Sequence, residues 1–425
     1  MNPQGGRGPE PIYTSYVHSF LQSIDWRSFL SRPYLPPPPP EALDALRQQP
    51  IFITGAGGSI GSALALRLGA MMPPELVLLE ASESNLYALQ RDWPAEWAAG
   101  PRAAKSVSPI LGSATDEAQL HEIFATHAPR IVFHAAAFKH VPLMEEHPLA
   151  AIQNNIFSTE LLSQAALTHG ARMVLLSTDK AVAPTSVMGA TKRVAEQITL
   201  AGGGTVLRLV NVLASRDSVA EIFAWQIAHG GPVTVTNAAA RRYFITLHEA
   251  INLLLKATTL HEPGLLLAPV LPAAHLITDL ARFMAFALSP QHEIAINFTG
   301  NRPGDKEIEQ LWSPAQPIHT TSYDELVAVE AAQPGQAQLT DLLVRLHAAV
   351  DHRDPGEALS ALRALVPDYT PSQAALAYAA QCGSRACVLA IRLPSGASAS
   401  SPPRALTTAT SIGRCESWLR IRRWS

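Results

Sequence analysis

Cysteine is scarce in this chain: Cys382, Cys387 and Cys415 are the only three in 425 residues, all in the last portion. They form no Cys-x-x-Cys pair and lie far from the motifs below, which argues against a disulfide framework or a structural metal. An excess of one charge is also missing. Lys and Arg number 32 against 35 Asp and Glu, a net charge of −3, so no global basic field points to nucleic acid. Nor is there an uninterrupted apolar run of about 18 residues. The best stretch, Leu253 to Leu276, is broken by Lys256, His261, Glu262 and three prolines. Residues 1–10 are Gly/Pro-rich without an apolar core, unlike a signal peptide. These absences lead to the expectation of a soluble, cytoplasmic protein without direct membrane insertion, metal or nucleic-acid partner.

What is present is an α/β pattern. From Ile51 onward, short apolar runs alternate with alanine-rich amphipathic stretches, the pattern of a Rossmann-type doubly wound parallel sheet. Strands are expected at Ile51–Thr54, Leu76–Glu80, Ile131–His134, Met173–Ser177 and Val206–Leu209. Residues 1–47 read as an extension ending in the polyproline spacer Pro36 to Pro40, with a helix from Glu41 to Gln48. Residues 48–230 are expected to form the dinucleotide-binding domain and 231–330 a smaller substrate-binding lobe, with strands from 205 on open to sharing between them. Residues 331–370 read as a helical segment and 371–425 as a disordered tail, Ser/Ala/Pro-rich beyond about 390.

The run Ile51-Phe52-Ile53-Thr54 opens directly into Gly55-Ala56-Gly57-Gly58-Ser59-Ile60-Gly61. Gly55 permits a tight turn, Gly58 lets the backbone approach a diphosphate, and Gly61 allows close helix–strand packing. The first turn of the helix, at Ser59 and Ile60, then offers its N–H groups to phosphate. A strand before and a helix after are the context that gives such a motif its meaning. Glu80 ends the next strand, where a carboxylate accepts from the adenosine ribose and repels a 2′-phosphate; this favours NAD over NADP. A second constellation follows the apolar run Met173-Val174-Leu175-Leu176: Ser177-Thr178-Asp179-Lys180, then Met188-Gly189-Ala190-Thr191-Lys192. A carboxylate and an amine side by side at a strand mouth can serve as an acid/base pair, and Met188 and Lys192 share one helix face.

These residues carry a family resemblance. The motifs are Thr54-Gly55-Ala56-Gly57-Gly58-Ser59-Ile60-Gly61-Ser62, Phe133-His134-Ala135-Ala136-Ala137-Phe138-Lys139-His140-Val141-Pro142-Leu143-Met144-Glu145 and Ser177-Thr178-Asp179-Lys180-Ala181-Val182-Ala183-Pro184-Thr185. Val187-Met188-Gly189-Ala190-Thr191-Lys192-Arg193, Arg242-Tyr243-Phe244 and Thr299-Gly300-Asn301-Arg302-Pro303-Gly304-Asp305-Lys306 complete the set. Over roughly Asp25 to Tyr369, the chain resembles the nucleoside-diphosphate-sugar 4,6-dehydratases of the polysaccharide-biosynthesis branch. These are extended short-chain dehydrogenases/reductases, lyases that convert UDP-N-acetylglucosamine to its 4-keto-6-deoxy derivative. In most of that superfamily a tyrosine stands where Met188 stands here.

The resemblance implies a redox-neutral cycle with NAD, a UDP-N-acetylhexosamine substrate and a homo-oligomer. It implies Asp179 as the acid at the C6 hydroxyl and Lys180, neutral in a desolvated cleft, as the base at C5, with the two roles exchangeable. Thr178 would relay the C4 hydroxyl proton in place of the residue lost at Met188, and Lys192 would hold the nicotinamide ribose. Cofactor contacts would also come from Ala135 and Ala136. Lys139, His140, Asn155, Asn211, Arg242 and Arg302 would serve the sugar nucleotide or support its site. Ser113, Val210 and Ala214 depart from the family pattern, standing for an aspartate and two glycines. A sugar-nucleotide epimerase and a non-catalytic NAD-binding partner protein are the alternative readings.

Overall fold

Apolar runs that the chain separates by helices come together as one sheet. The computed structural model describes Leu21, residues 24–94 and residues 107–381. Strands β1 (Ile51–Thr54), β2 (Leu76–Glu80), β3 (Val107–Leu111), β4 (Ile131–His134), β5 (Arg172–Thr178) and β6 (Thr205–Leu209) pair in parallel. Strand β7 (Leu266–Pro269) continues the parallel run beside β6, and β8 (Ile318–Thr320) and β9 (Leu326–Val329) finish the edge antiparallel. The nine strands lie in the order β8-β9-β7-β6-β5-β4-β1-β2-β3. Between β1 and β4 the order of winding reverses, so the carboxyl ends of these strands open the crevice where doubly wound sheets take their ligands.

Helices cover both faces, which is why β1, β2 and β4 are buried throughout and lack polar alternation. On one face α1 (Ser59–Gly69) and α6 (Leu247–Ala257), labelled in chain order with the four helices named next, pack Leu64, Leu68, Leu253 and Leu254 against Ile51 and Ile53. On the other, α3 (Glu117–His127) and α4 (Ser158–Thr168) pack Phe124 and Leu162 against Phe52 and Val77. Helices α2 (Glu83–Arg91) and α5 (Val187–Ala201) follow β2 and β5. The expected strands are all present within a residue or so, and the expected helix at Glu41 runs Pro40–Arg47. Strand β3 escaped the sequence reading because it is an edge strand, half-exposed and carrying Pro109, which only an edge tolerates.

Three boundaries bear on the expectation. Strands β7, β8 and β9 fall in the stretch expected for the smaller lobe and belong to the main sheet, in line with the sharing left open for strands from 205 on. The lobe itself holds short pairs, Val233–Val235 with Ile296–Phe298 and Arg241–Arg242 with His275–Leu276. Secondly, the segment read as an extension and linker is not detached: Trp26, Phe29 and Leu30 are buried with Phe223, Phe244 and Met284 in the lobe's core. Arginine and aromatic side chains spaced over a short segment carry no readable period, so this docking was invisible in sequence. Thirdly, the expected helical segment forms as α7 (Gln336–Asp351) and α8 (Pro355–Leu365), but order continues past residue 370. Residues 373–381 are helical, Ala375 is fully buried and Ser372 donates to Glu145 Oε2. The rest of the expected tail, 382–425, lies outside the described residues, as do the three cysteines.

Candidate active site

The glycine loop between β1 and α1 has the geometry its sequence demands. Gly55 adopts φ +65°, and a Cβ there would lie 2.7 Å from Ala136 Cα. At Gly61 a Cβ would stand 2.0 Å from Gly55 O, so the close approach of helix to loop admits only glycine. Gly58 is less confined: a Cβ there would have one neighbour within 4 Å, Gly55 O at 3.3 Å, a tight contact with a single atom. Helix α1 starts at Ser59 with no side-chain cap, which leaves its first N–H groups free for an anion. Ile60 follows in the same first turn, half-buried. Glu80 sits across the loop, accepting from Gly57 N (2.8 Å) and Ser82 N (2.9 Å). Ala135 continues from β4, its N–H donating to Thr54 O. An uncapped helix end, a glycine loop and a carboxylate fixed beside them fit a dinucleotide.

The residues expected to serve as acid and base gather at the carboxyl end of β5. Thr178 ends the strand and donates from Oγ1 to Asp179 Oδ1 (2.9 Å), while Asp179 begins a short 3₁₀ turn and is completely buried. Lys180 Nζ donates to Asp179 Oδ1 (3.0 Å) and to Asn211 Oδ1 (3.2 Å). Asp179 Oδ2 is buried without a partner. A carboxylate that sequence reading missed, Glu309, lies 4.0 Å from Lys180 Nζ and 3.2 Å from Lys306 Nζ, and is itself buried. Burial pulls the Lys180 amine down, but Asp179 and Glu309 outweigh it, and the net shift is upward even with Arg242 opposing. These surroundings favour the ammonium, whereas the expected base at C5 needs a neutral amine. Arg242 is the cation that opposes the rise.

Helix α5 presents the next group. Lys192 is buried, donates to Leu176 O (2.6 Å) and titrates near 8, because desolvation lowers it more than Glu196 raises it. Met188 is buried in an apolar cluster with Val141, Met144 and Ile152, so no hydroxyl stands where the superfamily has one. Below them, Glu196 joins α5 to two strands. It accepts from Ser177 Oγ on β5 (2.6 Å), Arg193 Nη1 (3.0 Å) and both Nε and Nη2 of Arg208 on β6 (2.9 and 2.8 Å). Glu196 and Arg208 were not singled out in sequence; only their neighbours in space reveal them.

The other residues expected to serve the sugar nucleotide make contacts within the protein. Asn155 sits in a π-helical turn, Gln153–Phe157, and its amide is used internally: it accepts from Phe138 N (2.8 Å) and donates to Phe138 O and Thr191 Oγ1. Its amide thus ties the start of α5 to the segment after β4. Arg242 donates to Glu307 O and Lys306 O, pinning the segment that carries Glu309. Lys139 donates to Arg216 O (2.6 Å), and His140 Nε2 is 3.7 Å from Asp217 Oδ2. Arg302 is exposed and paired with Asp305, and no hydrogen bond joins it to the Asp179 cluster. Ser113 bonds Thr115 within its own turn.

Residues 51–331 match the model of a family described as "Polysaccharide biosynthesis protein". The chain belongs to that family. It is 37% identical over 281 residues to the probable polysaccharide biosynthesis protein EpsC of Bacillus subtilis (strain 168), covering 64% of this chain and 46% of that protein. This family member thus spans about half the length of the first curated relatives it matches. It is also 36% identical over 199 residues to UDP-glucose 4-epimerase of Rickettsia rickettsii, covering 44% of this chain and 58% of that one. Among solved structures, Pen from Bacillus thuringiensis superposes with a TM-score of 0.61 at 25% identity, over 68% of this chain and 93% of that one. DesIV, a dTDP-glucose 4,6-dehydratase from Streptomyces venezuelae solved with NAD and TYD bound, has a TM-score of 0.53 at 18% identity, over 61% of this chain and 87% of its own, and shows the shared fold.

Proposed function

We propose that this polysaccharide-biosynthesis family member binds NAD and dehydrates a UDP-linked N-acetylhexosamine across C5 and C6. The observation that carries the reading is the Thr178–Asp179–Lys180 cluster at the carboxyl end of β5, with Asp179 buried at its centre and a methionine at 188. NAD, when bound, supplies a hydride acceptor for C4 and returns the hydride at C6. Oxidation at C4 acidifies the C5 proton, and the remaining work is proton transfer. Lys180 holds its proton at rest, so it is placed to give it to the departing C6 hydroxyl. Asp179, with Oδ2 unpartnered, is placed to take the C5 proton. Asp179 returns that proton to C5 as the hydride returns at C6, and the proton released by the C4 hydroxyl recharges Lys180, whose Nζ lies 3.0 Å from Asp179 Oδ1, which restores the starting state. This is the exchanged order of the two roles. Thr178, hydrogen-bonded to Asp179, is the group left to relay the C4 hydroxyl proton. Lys192 adds positive potential below pH 8.

The epimerase reading is favoured by the Rickettsia relatives and opposed by Met188, which cannot relay a proton. Incubation with UDP-N-acetylglucosamine, followed by mass spectrometry, separates the two. A product lighter by one water (~18 Da) without added reductant supports dehydration; an isomer of unchanged mass supports epimerisation. Asp179→Asn should abolish turnover and spare NAD binding, whereas an unaffected variant removes Asp179 from the chemistry.

A further inference from the structure

A turn far along the chain closes over the glycine loop and brings a cation to it. Arg216 follows the strand segment Asn211–Val212, and its backbone N–H donates to Ser59 Oγ (2.9 Å) in the first turn of α1. Its Nη1 donates to Gly57 O (3.1 Å) and to Asn85 Oδ1 (3.1 Å) in α2. Lys139 and His140 hold the same turn from the β4 side, through Arg216 O and Asp217. Ala214 (φ +57°) and Asp217 (φ +55°), on either side of Arg216, both adopt left-handed backbone, a conformation that costs non-glycine residues about 1–2 kcal/mol in general. The turn is therefore held in place by its contacts and not by local preference.

Anchoring leaves the Arg216 charge uncompensated. Among the described residues no carboxylate pairs with its guanidinium, and Nε and Nη2 donate no hydrogen bond, while Nη1 is occupied. A half-buried cation held without a counter-charge is unfavourable, and a forked guanidinium matches phosphate. The uncapped α1 terminus faces the same loop. We propose that Arg216 forms the cationic wall of the dinucleotide's diphosphate site, with the α1 N–H groups on one side of the phosphates and the guanidinium on the other. The proposal rests on the NAD reading of the glycine loop. Glu80, fixed at the ribose end, disfavours a 2′-phosphate there, which leaves the diphosphate as the anion.

Calorimetric titration of the full chain with NAD, and with adenosine as a phosphate-free probe, tests this. Arg216→Ala should weaken NAD roughly ten- to hundredfold, the loss of one or two charge-assisted hydrogen bonds, and leave adenosine unchanged. Arg216→Lys, which keeps the charge but not the fork, should recover part of the loss and guards against a variant that fails to fold. NAD binding to Arg216→Ala as tight as to the wild type, or tighter, overturns the proposal, as does an equal loss for NAD and adenosine. A wild-type chain that binds adenosine and NAD equally well also overturns it, while one that binds neither overturns the NAD reading beneath it.

Discussion

Glu196 receives both arms of Arg208 beneath the acid/base residues, at 2.9 and 2.8 Å, with each side chain essentially shut off from water. The pair ties α5 to β6, and Ser177 ties Glu196 to β5, so the position of Lys192 depends on charges one helical turn below it. Burial pushes the Glu196 carboxyl up, but Arg208 above all, with Arg193 and Ser177, brings it down to about 2. Removing one partner strands the other in a dry interior. Glu196→Gln should cost about 3–5 kcal/mol in urea unfolding, and replacing both Glu196 and Arg208 with apolar residues should cost less than that. For a carboxylate lowered by folding, the stabilisation is present above its ordinary pKa of 4.5 and disappears as pH falls toward 2. Wild type and Glu196→Gln should thus converge in stability in strong acid.

Lys192 gives a slope of the opposite origin. Its amine titrates near 8 when folded and near 10.5 when free, so between these values the unfolded chain binds the extra proton. Stability should rise with pH across that window, and Lys192→Met should flatten the rise. Chemical denaturation midpoints at pH 8, 9 and 10 measure it; parallel profiles for the two proteins would contradict the buried amine.

The glycine loop makes a paired prediction. Gly61→Ala puts a Cβ 2.0 Å from Gly55 O, a clash with backbone, and should lower thermal stability along with nucleotide binding. Gly58→Ala meets only one atom, at 3.3 Å, and should fold normally. Its methyl would have that one neighbour within 4 Å, so the loss should appear mainly in NAD affinity.

Ala128 offers a test of the fold independent of any function. It is exposed and ends α3 in left-handed conformation, φ +42°, with its N–H on Phe124 O. Ala128→Gly should stabilise the protein by about 0.5–1 kcal/mol, since relief of the Cβ strain exceeds the added freedom of the unfolded chain. A lower midpoint in urea would show that the strain is absent.

Several features were written locally and could be read without coordinates. Continuous apolar runs bounded by turn residues marked β1, β2, β4, β5 and β6, because strands buried on both faces need no polar alternation. The spacing of Gly55, Gly58 and Gly61 marked the loop, because each glycine answers a steric demand within a few residues of itself. Adjacent Asp179 and Lys180 at the end of an apolar run marked, in the same way, a carboxylate and an amine that meet at the end of β5.

Other properties depended on residues distant in the chain. The proton on Lys180 is held by Asn211 and Glu309 as well as by Asp179, and only packing brings those two to it. Lys139, expected by position to serve the sugar nucleotide, donates to Arg216 O, a contact 77 residues along the chain that only folding supplies. Trp26 and Phe29 looked like linker and became core once Phe244 and Met284 lay beside them. The amino-acid sequence by itself determined where chain direction and backbone conformation must change, since those are set by neighbours along the chain. Only the tertiary structure decided which groups are charged, buried or free to meet a ligand, because Coulomb interaction and desolvation act through space and depend on what the fold places within a few ångströms.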